Sequence, residues 1–177
     1  MRLAFHKSQA ILAASTVTGE VGIYEYGLEG NSQRALLQHH ELSTRALQYS
    51  HDCGTLFMGS KDCNISAYDL ARACVSGTMV NAHDTAISCL LTVDENTLVS
   101  GDDDGLIKIW DLRQARCAHE LNEHSDFISD IRLGKDEKTL VCAGGDGYLR
   151  FVRLCALSYF VVNHSMRKPS HKKGRRG

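Results

Sequence analysis

Residues 98–111 read LVSGDDDGLIKIWD and concentrate groups able to do chemistry: Ser100, three consecutive aspartates and the chain's only tryptophan, Trp110. With His83 upstream, Ser100, His83 and Asp104 supply the residue types of a serine hydrolase, in which imidazole takes the hydroxyl proton and a carboxylate orients the imidazole. That chemistry also requires an exposed nucleophile on a strained turn and an oxyanion hole, and no GxSxG or comparable motif surrounds Ser100. An enzyme is therefore the least favoured class. A calcium loop spaces its oxygens two residues apart and closes on a glutamate. Asp102, Asp103 and Asp104 are adjacent, so their side chains diverge, and Arg113 stands where the glutamate is needed. His51, Cys53 and Cys63 come nearest to a zinc cluster, but a strand-turn-strand pattern around them accounts for all three as turn and core residues. Phosphate cradles are missing: AGGDG lacks GxGxxG, and Gly134-Lys135 lacks the flanking residues of a P-loop. No metal and no cofactor is expected.

The elements that position these groups repeat along the chain. Aligning SGDDDGLIKIWDL with GSKDCNISAYDL places Trp110 on Tyr68, Asp104 on Asp62 and Ile107 on Ile65, an offset of 42 residues. AGGDGYLRFVRL puts Asp146 on Asp104, Gly147 on Gly105 and Val152 on Trp110, again 42 apart. STVTGEVGIYEY supplies a fourth copy at an offset of 44. Each copy holds an alternating apolar run, a polar turn, a second run such as TLVSG, a tight turn and a third run such as LIKIWDL. Period-two alternation bounded by Gly, Asp and Asn is the hairpin signal. A last strand (RALLQH, ACVSGTMV, CAHEL) ends near His39 or His40, His83 and His124. Four antiparallel strands in each unit of about 40–45 residues is the arithmetic of a propeller blade.

Composition agrees with a globular body. The 177 residues are 43% hydrophobic and 23% charged, no stretch approaches a membrane span, and the apolar run of the first residues is too short for an expected signal peptide. Seven cysteines form no CxxC pair and read as small buried hydrophobes in a reducing compartment, without disulfides. Charge divides unevenly. Residues 164–177 hold six Lys or Arg and no acid, leaving 1–163 with 14 basic against 21 acidic residues. The division expected is a repeat body over 1–163, in blades of about 1–39, 40–82, 83–123 and 124–163, and a solvated basic tail over 164–177.

The stretch from His83 to Trp110-Asp111 resembles the WD40 repeat, whose marks are an upstream histidine and a terminal Trp-Asp. Tyr-Glu, Tyr-Asp and Val-Arg replace Trp-Asp in the other three copies. The resemblance implies an all-β fold of about four four-stranded antiparallel blades from a ring that normally has seven. About seven repeats would need roughly 290 residues, so the chain is expected to be a truncated N-terminal portion of a longer propeller. It also implies that His83, Ser100, Asp104 and Trp110 form a buried structural tetrad: the indole N–H donates to the hydroxyl, and a turn carboxylate accepts the imidazole proton.

Within that family the stretch LLTVDENTLVSGDDDGLIKIWDLR is most similar to a nucleolar member associated with ribosomal RNA production. The implied function is a non-enzymatic scaffold for ribosome-assembly factors, in the nucleus and above all the nucleolus, with the cytoplasm second. Arg167, Lys168, Lys172, Lys173, Arg175 and Arg176 are the candidate nuclear-targeting residues, with RNA as a further contact. A second reading starts from Trp110-Asp111-Leu112-Arg113. It resembles the WD-x-R box of substrate receptors of cullin-RING ubiquitin ligases, which makes Asp111 and Arg113 candidate contacts for the ligase adaptor. Asp102 departs from the small residue usual in that box. No membrane and no small-molecule substrate is expected under either reading.

Overall fold

A computed structural model describes residues 1–154 and the short strand Met166–Arg167. The first sheet is built from β1 (Leu3–Phe5), β2 (Ile11–Ser15), β3 (Val21–Gly27) and β4 (Gly30–Leu37). The second holds β5 (Thr44–Tyr49), β6 (Thr55–Ser60), β7 (Ile65–Asp69) and β8 (Cys74–Met79). β9 (Ile87–Thr92), β10 (Thr97–Asp102), β11 (Leu106–Asp111) and β12 (Arg116–Asn122) form the third. The fourth holds β13 (Ile128–Leu133), β14 (Thr139–Gly144), β15 (Tyr148–Arg153) and β16 (Met166–Arg167). In every sheet the strands lie antiparallel in chain order, and the connection from β15 to β16 lies outside the described residues.

Strand alternation decides which residues join the core. β2 reads ILAAS with Ile11, Ala13 and Ser15 buried and the residues between them partly exposed. The second strands of sheets two and three, TLFMGS and TLVSGD, are buried on both faces beyond their first residue, because a sheet lies against each side. The innermost strands carry the packing between sheets: β1 and β2 meet β5, β5 meets β9, and β9 meets β13. Arg2 on the first sheet also reaches Asp130 on the fourth, 3.6 Å away.

The turns between second and third strands use the left-handed backbone that glycine adopts most freely. Gly19, Gly105 and Gly147 occupy that position with φ of 91°, 88° and 81°. Cys63 occupies it in the second sheet with φ 68°. Cys63 and Cys53 therefore lie beyond opposite ends of β6, a six-residue strand about 20 Å long, and cannot share one metal ion.

The sequence sets the expected end of the repeat body at residue 163. The strand paired with β15 is Met166–Arg167, which places the backbone of Arg167 in the fourth sheet. Lys168, Lys172, Lys173, Arg175 and Arg176 lie outside the described residues, as does the segment CALSYFVVNH expected to supply a strand.

Candidate functional site

β10 carries the groups that suggested a hydrolase. Leu98, Ser100 and Asp102 alternate onto the face turned toward the second sheet, and β11 sets Trp110 beside them by pairing Trp110 with Leu98. His83 arrives from the connection between β8 and β9. The indole Nε1 donates to Ser100 Oγ at 2.8 Å, and His83 Nε2 lies 2.6 Å from the same oxygen. His83 Nδ1 lies 2.8 Å from Asp102 Oδ2. One proton order satisfies every atom: the indole donates to the hydroxyl, the hydroxyl to Nε2, and Nδ1–H to the carboxylate. Asp102 Oδ1 then accepts the amides of Leu106 at 2.9 Å and Asp104 at 3.1 Å, which fixes the turn into β11. Burial opposes the charge on Asp102, and the bonds from His83, Leu106 and Asp104 overcome it, holding the carboxyl below its usual range.

An Asp-His-Ser relay is thus present in geometry, but nothing can reach it. Ser100 is 0% exposed, and His83 and Asp102 are each 1% exposed. Its hydroxyl is already engaged by both indole and imidazole, so the network is a structural clamp between sheets.

The carboxylate differs from the one expected. Asp104 is exposed in the turn and contributes its amide, whereas Asp102 contributes the side chain. In the second and fourth sheets the histidine does pair with the residue aligned to Asp104: His40 Nδ1 with Asp62 at 2.9 Å, and His124 Nδ1 with both oxygens of Asp146 at 3.1 Å. The positions aligned with Asp102 are Ser60 and Gly144, which offer no carboxylate, so in those sheets the turn residue must serve. Asp102 was legible in principle, since it continues the period-two face of Leu98 and Ser100. The aspartate run divides three ways, because Asp103 forms an ion pair with Arg45 on β5 of the neighbouring sheet. Among the described residues no group of three or more His, Cys, Asp or Glu could hold a metal.

The hydroxyl has no counterpart in the other networks. Met58 and Cys142 stand at the Ser100 position, and the Nε2 atoms of His40 and His124 are buried without a hydrogen-bond partner. Burial pushes the Cys142 thiol up to about 12, so it remains protonated and apolar at neutral pH.

The Trp110–Arg113 box ends on the rim. Arg113 has 67% of its side chain exposed, and its guanidinium folds back on Asp111, with Nε 3.3 Å from Oδ1 and one terminal nitrogen 3.2 Å from Oδ2. The same Asp111 Oδ1 accepts the Arg113 amide at 3.0 Å, so the turn itself sets the fork's direction.

Four-stranded meanders packed side by side through their first strands, with a His, Ser and Trp clamp at one interface, define a class. Residues 74–111 and 115–152 match the WD40 family model, described as WD domain, G-beta repeat. The solved WD40 β-propeller domain of Doa1 superposes with a TM-score of 0.79 at 21% identity, over 94% of this chain and 53% of that one. Residues 74–111 and 115–152 therefore carry WD40 repeats, and the chain folds as blades of a WD40 β-propeller whose sheets, among the described residues, do not close into a ring. Its similarity to individual proteins is narrower. It is 37% identical over 96 residues to rat WD repeat-containing protein 55, and 36% identical over 96 residues to the human protein of that name. It is 34% identical over 94 residues to the homologue from Drosophila persimilis. Each match takes in 53% of this chain but only 25%, 25% and 19% of the rat, human and fly proteins.

Proposed function

We propose that the protein is a non-enzymatic scaffold for protein–protein interaction, acting in the nucleolus in ribosomal RNA synthesis or ribosome assembly. The observation that carries the non-enzymatic part is the sealed network: the residues whose types suggest catalysis are spent on holding two sheets together. The nucleolar part rests on the similarity to WD repeat-containing protein 55 and on the basic residues after Met166. Six cations without an acid suit an acidic import receptor or RNA phosphates, and such binding weakens steeply with salt. The test is a fluorescent fusion of the whole chain, followed alongside ribosomal RNA precursor labelling after depletion. Nucleolar accumulation that is lost when Lys172, Lys173, Arg175 and Arg176 become Gln is expected. Unchanged distribution of that variant would remove the tail from the reading, and unchanged precursor levels would remove the ribosomal role.

A second reading is favoured by the posture of Arg113: a cullin-RING substrate receptor whose adaptor receives the exposed guanidinium. Arg113→Ala is expected to abolish co-purification of the adaptor with little change in melting temperature, since exposed pairs contribute little to folding. Arg72→Ala is the matched control, because Arg72 follows Asp69 in the equivalent turn of the second sheet with 78% of its side chain exposed. Equal adaptor recovery from wild type and Arg113→Ala would end this reading.

A further inference from the structure

Packing between the second and third sheets is incomplete on their outer strands. The face of the second sheet turned toward the third carries Phe57 on β6, Ile65 and Ala67 on β7, and Gly77 and Met79 on β8. Phe57 and Ile65 reach the third sheet and are buried with Leu90, Leu98 and Trp110. Farther out the side chains shrink, because Ala67 pairs with Gly77, and a methyl group built on Gly77 would meet no atom within 4 Å. The gap is a groove of about 690 Å³ with Ala67, Gly77 and Met79 along one wall, Leu112 from beyond β11 on the other, and the buried Phe57 and Ile65 beneath. A volume of several hundred Å³ is the size of a ligand cleft, and this one mixes apolar groups with the polar side chains of both sheets.

Two further features describe what would fill it. β8 is the outermost strand of its sheet, paired only with β7, so its other edge offers main-chain donors and acceptors to an added strand. At the hairpin end the groove is bordered by Asp52, in the β5–β6 turn, and Glu95, in the β9–β10 turn, with exposed His51 beside them and no Lys or Arg in the lining. The Ser50 hydroxyl and the Gly54 amide hold the Asp52 carboxyl below its usual range, so it is ionised at neutral pH. Glu95 makes no hydrogen bond or ion pair with any described residue.

The geometry points to a docking groove for an extended basic peptide of a partner protein. The peptide lies along the β8 edge, sets alternate apolar side chains beside Gly77 so that they lean into the open space above it, and directs a Lys or Arg to Asp52 and Glu95. This deepens the scaffold reading and rests on it, but it needs neither the tail nor Arg113.

The whole chain, immobilised, is screened against a random dodecapeptide library displayed on phage, and the consensus peptide is labelled with fluorescein for anisotropy titrations. Enriched sequences are expected to alternate apolar residues and to carry flanking Lys or Arg. Gly77→Leu fills open space on a strand edge, so it should weaken binding about tenfold or more, as truncation of an anchor does, with an unchanged melting temperature. The pair Asp52→Asn and Glu95→Gln should weaken binding less and flatten its salt dependence. Failure to enrich any sequence, enrichment of acidic sequences, or equal affinity for Gly77→Leu would overturn the proposal. A self-association dissolved by Gly77→Leu, with no peptide selected, would assign the groove to a second copy of the chain and overturn it equally. Nucleolar accumulation of the Gly77→Leu fusion reports on the scaffold reading separately, because the targeting residues are untouched.

Discussion

Ser100 shows how one hydroxyl can join three elements. It sits on β10, takes the indole of β11 and engages the imidazole from the β8–β9 connection. Trp110→Phe deletes the donor to a buried oxygen and should cost about 1–3 kcal/mol in urea unfolding. In a double-mutant cycle with Ser100→Ala the two losses should fall short of additivity, and strictly additive losses would mean that the bond carries no coupling. Asp102→Asn and Asp104→Asn separate the two candidate carboxylates. The first should destabilise by a similar amount, and the second should stay within about 0.5 kcal/mol, since an exposed turn side chain has little to lose. Acid should expose the same difference. The folded-state pKa of Asp102 is depressed, so its stabilisation is full above the unfolded-state value near 3.9 and disappears as pH falls through the folded value. Wild type should therefore lose stability more steeply below about pH 5 than Asp102→Asn does. His83, Ser100 and Trp110 were legible as a set through the resemblance of their stretch to the WD40 repeat, since the other copies put Ala14, Met58 and Cys142 at the Ser100 position. The carboxylate was misread because alignment by offset favours Asp104, which Asp62 and Asp146 match, whereas the pleat of β10 places Asp102 on the buried face.

The strands and hairpins were legible because the apolar runs alternate and Gly, Asp and Asn cluster in the turns between them. The tight turn before every third strand is the sharpest case. At Gly105 a side chain would run into the His124 and Asp126 carbonyls, so Gly105→Ala should lower the melting temperature substantially. Cys63 holds the same turn in the second sheet with a left-handed backbone that costs an ordinary residue about 1 kcal/mol or more. Cys63→Gly should consequently raise the melting temperature, and a drop would show that the thiol makes a compensating contact. The unpartnered imidazole of the fourth sheet can be treated likewise. Cys142 stands at the Ser100 position on β14, so Cys142→Ser offers a hydroxyl to His124 Nε2 and should stabilise by about 1 kcal/mol through a new buried hydrogen bond. No spacing in the sequence announces an orphaned nitrogen. It follows from Met and Cys at positions where a hydroxyl was read in one copy only.

At the scale of the molecule, each family repeat is one strand out of phase with its sheet. The match over 74–111 starts on β8, the outer strand of the second sheet, and ends with β11, the third strand of the third. A repeat therefore ties two neighbouring sheets together covalently, while Arg45–Asp103 and the His83 connection tie them through side chains. Sheet-on-sheet burial holds for the faces between sheets, and the far side of the first sheet differs. There Leu3 aligns across the strands with Ala14, Gly22 and Leu36, and Phe5 with Leu12 and Tyr24. Phe5 is 59% exposed, Leu36 57% and Leu3 52%, and the Phe5 ring stands edge-on to Tyr26 at 6.2 Å. Several large apolar side chains on one open sheet face promote association. The purified chain should show a mass that rises with concentration in light scattering coupled to size exclusion, and Phe5→Asp with Leu36→Asp should lower it without reducing strand content by circular dichroism. Gly77→Leu, on the opposite side of the second sheet from the first, should leave that mass unchanged. A monodisperse monomer at every concentration would mean that this face is too small or too curved to recruit a partner, and the exposed rings would then need a different explanation.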